Sequence, residues 1–258
     1  MSVPNLPGKH GFDGIVDPRD MLAHRRRGGR LPAIAPVDGA VICLQRGLPE
    51  RMRWRVGIRR LGRLMGDLYG VRSTGGRVAV LTGFGLGAPI VAAQAEELIA
   101  LGATRLVSIA LAGGLQPGLP PGTVIVARSA IRDEGTSHHY LAPGREATSD
   151  PALVASLCAA LGRRGHAVRV GTVWSMDAPY RETREEVELY QGQGVLAVDM
   201  ELAALLAVAA ARGVRAAGVL VTGDSLAGGR WQPPARLDGM ERSLEDAYRA
   251  AIEVLDGG

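Results

Sequence analysis

Aromatic residues are scarce in this chain: three Trp, five Tyr and two Phe make up 4% of 258 residues. A core cannot rest on ring packing here, so Val, Leu, Ile and Ala must fill it; apolar types together reach 47%. Lysine is almost missing. Lys9 is the single one, and arginine supplies the rest of the 30 basic side chains against 26 acids, a formal net charge of +4. So small an excess does not mark a partner of nucleic acid. The one dense basic run, "RMRWRVGIRRLGR" at 51–63, reads as a solvated or interfacial helix face. Cysteine is down to Cys43 and Cys158, far apart in apolar surroundings, which fits buried thiols in a reducing compartment rather than a disulfide framework. No H-x-x-x-H or C-x-x-C pair occurs, so no metal site is expected. The N-terminal "MSVPNLPGKHGFDG" has no apolar signal region, and no uninterrupted apolar run of about 18 residues follows. No membrane span is expected, and the cytoplasm is the expected compartment.

What is plentiful is glycine, 36 residues, beside short β-branched and alanine-rich runs. That pairing suits buried parallel strands in close contact with helices. Residues 1–38, rich in Pro, Gly and Arg, are expected to form an N-terminal arm lying extended over the body or a neighbour. From 39 to 258 strands and helices alternate. Strands are expected at "GAVICL" (39–44), "GRVAVLTG" (76–83), "TRLVSIAL" (104–111), "TVIVARSAI" (123–131), 167–175, "GVLAVDM" (194–200) and "RAAGVLVTGD" (215–224). Helices are expected at "RMRWRVGIRRLGRLM", 90–103, after Pro151 with Asp150 as cap, 182–193, 201–213 and 239–256. Residues 132–150 are too long and polar for a mere connector. The pattern predicts a single α/β domain, a mixed and mostly parallel central sheet flanked by helices. Ligands bind such sheets at the strand carboxyl ends. Here those ends carry "TGFGLG", "ALAGG", "WSMD", "VDME" and "TGDS".

Each of these admits a structural and a chemical reading. The "GFGLG" turn lets backbone approach a ligand and presents N–H groups to an anion, yet its spacing matches no nucleotide fingerprint and a tight turn also needs glycine. Glu201 opens a helix, where an acid is favoured on dipole grounds alone. Its chemical reading is a carboxylate accepting from two vicinal hydroxyls, with Met200 against the sugar face. Asp224 ends an apolar strand, either as a cap or as a general acid toward a base nitrogen. Trp174 is core, interface or a stacking face for a flat heterocycle.

Taken together, "TGFGLGAPIVAAQAEEL", "SIALAGGLQPGLPPGTVIVARSAIRDEGTSHHY", "WSMDAPYRE" and "GVLAVDMELAALLAVAAARGVRAAGVLVTGDS" resemble segments of the nucleoside phosphorylase family, the branch of uridine phosphorylases and hexameric purine nucleoside phosphorylases. The likeness runs over roughly residues 38 to 230. It implies a three-layer phosphorylase fold and cleavage of a purine or uridine-type nucleoside by phosphate, giving free base and (deoxy)ribose 1-phosphate. Phosphate is a co-substrate, no cofactor is involved, and assembly is a dimer-based hexamer. By the same likeness Glu201 binds the ribose diol beside Met200, with Asp199 nearby. Asp224 protonates the leaving base, Trp174 lies against it, and Gly83 and Gly85 form the turn near phosphate and ribose. His10 of the arm reaches a neighbour's 5′-hydroxyl, and Arg181 or Arg184 reads the base. The family's Gly-Asp-Pro-Arg phosphate turn is missing, with "CLQRGLPER" in its place, so Arg46 is the candidate substitute. Ser108 stands where the family has its central-strand arginine, followed by Ala110 and Leu111. Two alternatives follow from those departures: hydrolysis by water on the same architecture, and nucleoside binding without turnover.

Overall fold

The computed structural model describes residues 3–29, 31, 34–234 and 238–257. Among them are seven α-helices and ten strands. The first half of the chain runs α1 (Pro18–Arg27), β1 (Gly39–Cys43), α2 (Leu48–Val56), β2 (Ile58–Arg63), β3 (Asp67–Val71), β4 (Val78–Thr82), α3 (Ala88–Ala100) and β5 (Arg105–Gly114). The second half runs β6 (Val124–Asp133), β7 (Glu146–Thr148), α4 (Pro151–Arg163), β8 (Arg169–Met176), α5 (Arg184–Gly192), β9 (Ala197–Asp199), α6 (Leu202–Arg212), β10 (Arg215–Ser225) and α7 (Asp238–Asp256). No described helix is long and apolar enough to cross a membrane.

The strands form one mixed sheet in the order β10-β6-β8-β9-β5-β1-β4-β3-β2. Strand β5 also pairs with β10, so β5, β10, β6, β8 and β9 close into a ring. Strands β1, β4, β3 and β2 extend from β5 as an open wing, and β7 pairs with β6. Pairing is parallel for β1 with β4 and β5, β5 with β10, and β8 with β6 and β9. It is antiparallel along the β2–β3–β4 meander and where β9 meets β5, and where β6 meets β7 and β10.

Helices cover both faces. Alternate residues of a strand face opposite ways, so Ala40 and Ile42 of β1 pack in the layer of α3 and α6, while Val41 and Cys43 pack in the layer of α4 and α7. Strand β1 is apolar throughout, and β4 is apolar but for Thr82, because both of their faces are buried. Helix α6, nearly all Ala and Leu, lies close to β10: a Cβ at Gly218 would come 2.5 Å from Leu202 Cδ1. Asp150 caps α4 through its Oδ1, which accepts from Leu153 N–H at 2.8 Å, with Pro151 as the first helical residue.

Two expectations change. The basic run is not one helix: α2 stops at Gly57, whose φ of +69° is the left-handed C-cap glycine favours, and Ile58 begins edge strand β2. The arm is not extended throughout, because Asp17 and Pro18 start α1. Arg25 of α1 then meets Glu97 of α3 at 2.7 Å in a mostly buried pair. The polar segment after β6 is folded around the Arg132 guanidinium, which donates to the carbonyls of Ser137, Leu141 and Ala142.

Gly218→Ala is expected to force Leu202 and the start of α6 away from β10. Overpacking of this kind costs about 1–3 kcal/mol, read as a lower denaturant midpoint. An unchanged midpoint would contradict tight packing of Leu202 on β10.

Candidate active site

The carboxyl ends of β5, β9 and β10, with the residues after β1 and the start of α5, surround a cavity of about 940 Å³. Asp199, Met200, Glu201 and Asp224 all line it. Of the five strand-end motifs, "TGFGLG", "ALAGG", "VDME" and "TGDS" each contribute lining, and "WSMD" does not.

Asp199 closes β9 and organises the start of α6. Its Oδ2 accepts the N–H of Leu202 at 2.8 Å and of Glu201 at 3.2 Å. Its Oδ1 takes the Ser175 hydroxyl, whose oxygen accepts from Ala203 N–H at 3.0 Å. These bonds satisfy donors that a helix start leaves orphaned, so the Asp199 carboxylate is committed largely to structure.

Glu201 is differently placed. Only 5% exposed, it accepts Gly87 N–H on Oε1 at 2.7 Å and Met200 N–H on Oε2 at 3.2 Å. Gly87 adopts φ +104° at the start of α3, a conformation that glycine permits and that aims its N–H at the acid. Each carboxylate oxygen has two acceptor directions, so one on each oxygen remains for a ligand. Burial first, and the neighbouring Asp199 charge second, push the Glu201 carboxyl up from its ordinary value. Burial likewise raises Asp199, against the hydrogen bonds that lower it.

At the other end stands Asp224. A bulge at Gly223 shifts the register of β10 against β5 between Thr222 and Asp224, which re-aims the following side chain. Asp224 Oδ2 accepts Trp231 Nε1–H at 2.6 Å. Its Oδ1 lies 3.2 Å from where a Cβ on Gly113 would stand, so that glycine leaves the carboxylate its space. Glu182 lines the same cavity, pushed up to about 7 by burial and then by the charges of Asp224 and Glu186. Thr183 and Glu186 form a reciprocal capping box that starts α5, which fixes Glu182 and Arg184 on either side of the cap.

Other expected residues lie elsewhere. Trp174 is 0% exposed and does not line the cavity; its Nε1 donates to Asp133 Oδ2 at 2.8 Å and its ring packs on Tyr190. Strand alternation explains this, since the adjacent Ser175 faces Asp199. Trp231 is the tryptophan at the cavity. Arg181 ends an exposed turn outside it, whereas Arg184 lines it and packs its stem against Gly229. Arg46 is turned away, with Nε and Nη2 donating to Phe84 O at 3.3 and 3.2 Å. Its neighbours Leu44 and Gln45 are the ones that line the cavity. Ser108 is buried inside β5 between β1 and β10. Gly83, at φ +72°, and Gly85 shape the turn behind the wall, and Leu86 supplies the lining. His10 sits exposed in a short turn outside its own chain's cavity, while Lys9 Nζ bonds His139 Nδ1 at 2.8 Å. Tyr180, Glu182, Trp231 and Met240 line the cavity without having been singled out from sequence. The "R-E-T-R-E-E" run was the one visible signal for Glu182, since its acids cluster at a helix start. Among the described residues no three metal-ligating side chains come together.

A family model described as Phosphorylase superfamily matches residues 58–256. The chain belongs to the phosphorylase superfamily. Its similarity to a guanosine phosphorylase of Halorubrum lacusprofundi is 29% identity over 170 residues, covering 66% of this chain and 70% of the relative. A DeoD-type purine nucleoside phosphorylase of Myxococcus xanthus is 31% identical over 228 residues, 85% of this chain and 94% of the relative. The crystal structure of a uridine phosphorylase from Vibrio fischeri ES114 superposes with a TM-score of 0.68 at 25% identity, over 85% of this chain and 93% of that one. The superfamily match extends from β2 to α7 and so includes every carboxylate of the cavity.

The raised carboxyl of Glu182 fixes the direction of a pH effect. Its folded value is about 7 against an ordinary 4.5, so across that interval the folded state holds a proton that the unfolded chain has released. Stability then falls as pH rises. The thermal midpoint of the ligand-free protein is expected to drop between about pH 5 and 8, and Glu182→Gln is expected to flatten that drop. An identical slope in the variant contradicts the assignment.

Proposed function

We propose that this protein is a nucleoside phosphorylase. It transfers the pentosyl group of a purine or uridine-type nucleoside from its base to phosphate, giving free base and (deoxy)ribose 1-phosphate. The observation that carries the reading is Glu201. A buried carboxylate, pinned by two backbone N–H groups and lining a cavity that also holds Asp224, suits a vicinal diol that donates two hydroxyls. Met200 beside it offers an apolar surface to the sugar ring.

Cleavage of the N-glycosidic bond passes through a sugar with positive character and a base with negative character. Glu201 fixes the diol and lends its negative charge to the sugar side. Asp224, held by Trp231, hands a proton to the departing base, and the half-buried Glu182 is a second proton source at that end. Tyr180, Trp231 and Arg184 bound the base. Phosphate is the co-substrate and no cofactor enters. Arg46 is the cation we assign to it, since it follows directly on the cavity residues Leu44 and Gln45. Residues 1–38 serve as an arm and 39–258 as the catalytic domain. The protein works as a homo-oligomer, a dimer-based hexamer in which His10 reaches a neighbour's site. Two free cysteines, one of them fully buried, fit a cytoplasmic setting.

The second reading to be separated by experiment is hydrolysis. The cavity residues after β1 and along β5 include Leu44, Ala110, Leu111 and Ala112, and none of them carries a charge for phosphate. A panel of purine and pyrimidine nucleosides assayed with and without phosphate separates the two: ribose 1-phosphate formed only with phosphate supports phosphorolysis, and free ribose formed without it supports hydrolysis. Release of no base under either condition contradicts both. Glu201→Gln is expected to lower kcat/KM about 100-fold or more, the loss of charge-assisted bonds to two hydroxyls. Asp224→Asn is expected to lower kcat for purine nucleosides by roughly 100-fold or more with KM little changed; an unaltered kcat removes its acid role.

A further inference from the structure

An acid that protonates a leaving base must point in one direction, and the Asp224 side chain has little of its own to hold it there. Among the described residues its one hydrogen bond is from Trp231 Nε1–H, on an indole that is 63% exposed. The direction must come from the backbone, at a place where strand pairing gives out. Strand β10 leaves its antiparallel partner β6 after Val221, which pairs with Val124, and its register on β5 shifts between Thr222 and Asp224. Thr222 stands at both breaks. It is 0% exposed, and the turn that leads into β6 engages each of its polar atoms. Its N–H donates to Thr123 O at 3.0 Å, and its carbonyl accepts Gly122 N–H at 2.8 Å. Its hydroxyl donates to Pro120 O at 2.6 Å and accepts Thr123 N–H at 3.0 Å. The turn is fixed to the body in its own right, since Ser243 Oγ of α7 donates to Gly122 O at 2.7 Å.

Beyond Asp224 the chain is fixed again. Ser225 and Gln232 exchange backbone bonds at 3.0 and 2.8 Å, and Leu226 N–H donates to Gly114 O at 2.8 Å. The Gly223 bulge thus lies between two clamps, and the Thr222 hydroxyl completes the first. Valine would fill the same space and suits a strand as well, so burial alone does not call for a hydroxyl at this position. We propose that Thr222 is a positioning residue: its grip on the Pro120–Thr123 turn sets the direction in which the Gly223 bulge presents the Asp224 carboxyl to the leaving base. This rests on the acid role of Asp224 in the proposed function. As the C1′–N bond breaks, its electron pair stays on the base, and a base nitrogen takes the Asp224 proton. A misplacement of about 1 Å can slow such a step roughly 100-fold.

The test sets Thr222→Val, which removes the hydroxyl, against Thr222→Ser, which keeps it. Guanosine and inosine are compared with 4-nitrophenyl β-D-riboside, each with and without phosphate. Nitrophenolate departs without a proton, so its release makes no use of Asp224. Thr222→Val is expected to lower kcat for both purine nucleosides about 10-fold or more with KM little changed, and to leave turnover of the nitrophenyl riboside within about twofold. Thr222→Ser is expected to restore the purine kcat. An unaltered kcat overturns the inference, and so does an equal loss on all three compounds, which marks general damage; neither touches the proposed function. If the unaltered protein cleaves none of the three, the proposed function fails. In that case, or if only one class of compound is cleaved, the indole Nε1–H resonances decide the inference. Three tryptophans give three such signals, and that of Trp231 is identified by its loss in Trp231→Phe. It is expected to shift in Thr222→Val and to return in Thr222→Ser, while the signals of Trp54 and Trp174 stay in place. A Trp231 signal that does not move overturns the inference. Thr222→Ala, whose smaller side chain leaves room for water on the freed groups, is read in the same way should Thr222→Val not fold.

Discussion

A hydrogen bond between a buried carboxylate and a backbone amide 114 residues away in sequence, Gly87 N–H to Glu201 Oε1, holds the cavity in shape. It joins the start of α3 to the start of α6, two helices packed in one layer, and so fixes the gap between the β4 and β9 ends. A charge so buried is costly unless its acceptor directions are used. The protein supplies one N–H to each oxygen and leaves the others to whatever enters the cavity. Unfilled, the carboxyl stays raised and close to Asp199, and two such groups resist ionising together. A ligand that donates two hydroxyls favours the charged form, so binding and ionisation of Glu201 are linked.

The sheet makes that arrangement possible. Strand β5 is long enough to pair with β1 over its first half, with β9 at its end and with β10 along its length. Because those partners end near one another, their side chains converge without any single loop carrying the site. Gly113 is the contact point. A Cβ there would stand within 3.1 to 3.3 Å of Val198, Asp224 and Leu226, so the three segments can close together over bare backbone. The Gly223 bulge and the Asp199 cap then set the directions of the two acids. These are rigid elements rather than loops, which suits groups that must meet a substrate in fixed positions.

Much of this was legible because the strand ends are written as local patterns. "VDME" after an apolar run and "VTGD" after another place acids where α/β sheets bind ligands, and Asp199, Glu201 and Asp224 all line the cavity there. Trp174 shows where local pattern stops. Its neighbour Ser175 turns toward Asp199, so alternation sends the indole into the core, and nothing in "WSMD" says which of the two faces outward. Arg181 and Arg184 differ in the same way: the capping box at Thr183 decides which arginine starts the helix and which is left on the turn. Trp231 and Met240 come from segments far along the chain whose approach to the cavity depends on tertiary packing. The run from 51 to 65 divides between helix and strand because its arginines fit an exposed helix face and an exposed edge strand equally, and only the left-handed Gly57 separates the two.

The charges of the cavity impose an order on the proposed reaction. Glu182, Asp199, Glu201 and Asp224 line it, against Arg184 and Arg230. An excess of carboxyls favours a sugar that is becoming positive, and it opposes a free phosphate dianion. Both guanidiniums belong with the base end, Arg184 against Gly229 and Arg230 one residue further along the same loop. Counter-charge for phosphate must therefore come from outside the present lining: from Arg46 released from Phe84 O, or from a neighbouring subunit. Either route makes phosphate use conditional on a rearrangement or on assembly. In the proposed reaction diol binding and base protonation need neither, since the carboxylates assigned to them lie within one chain. Assembly would then control which acceptor attacks C1′, while recognition of the nucleoside stays with the carboxylates at the ends of β9 and β10.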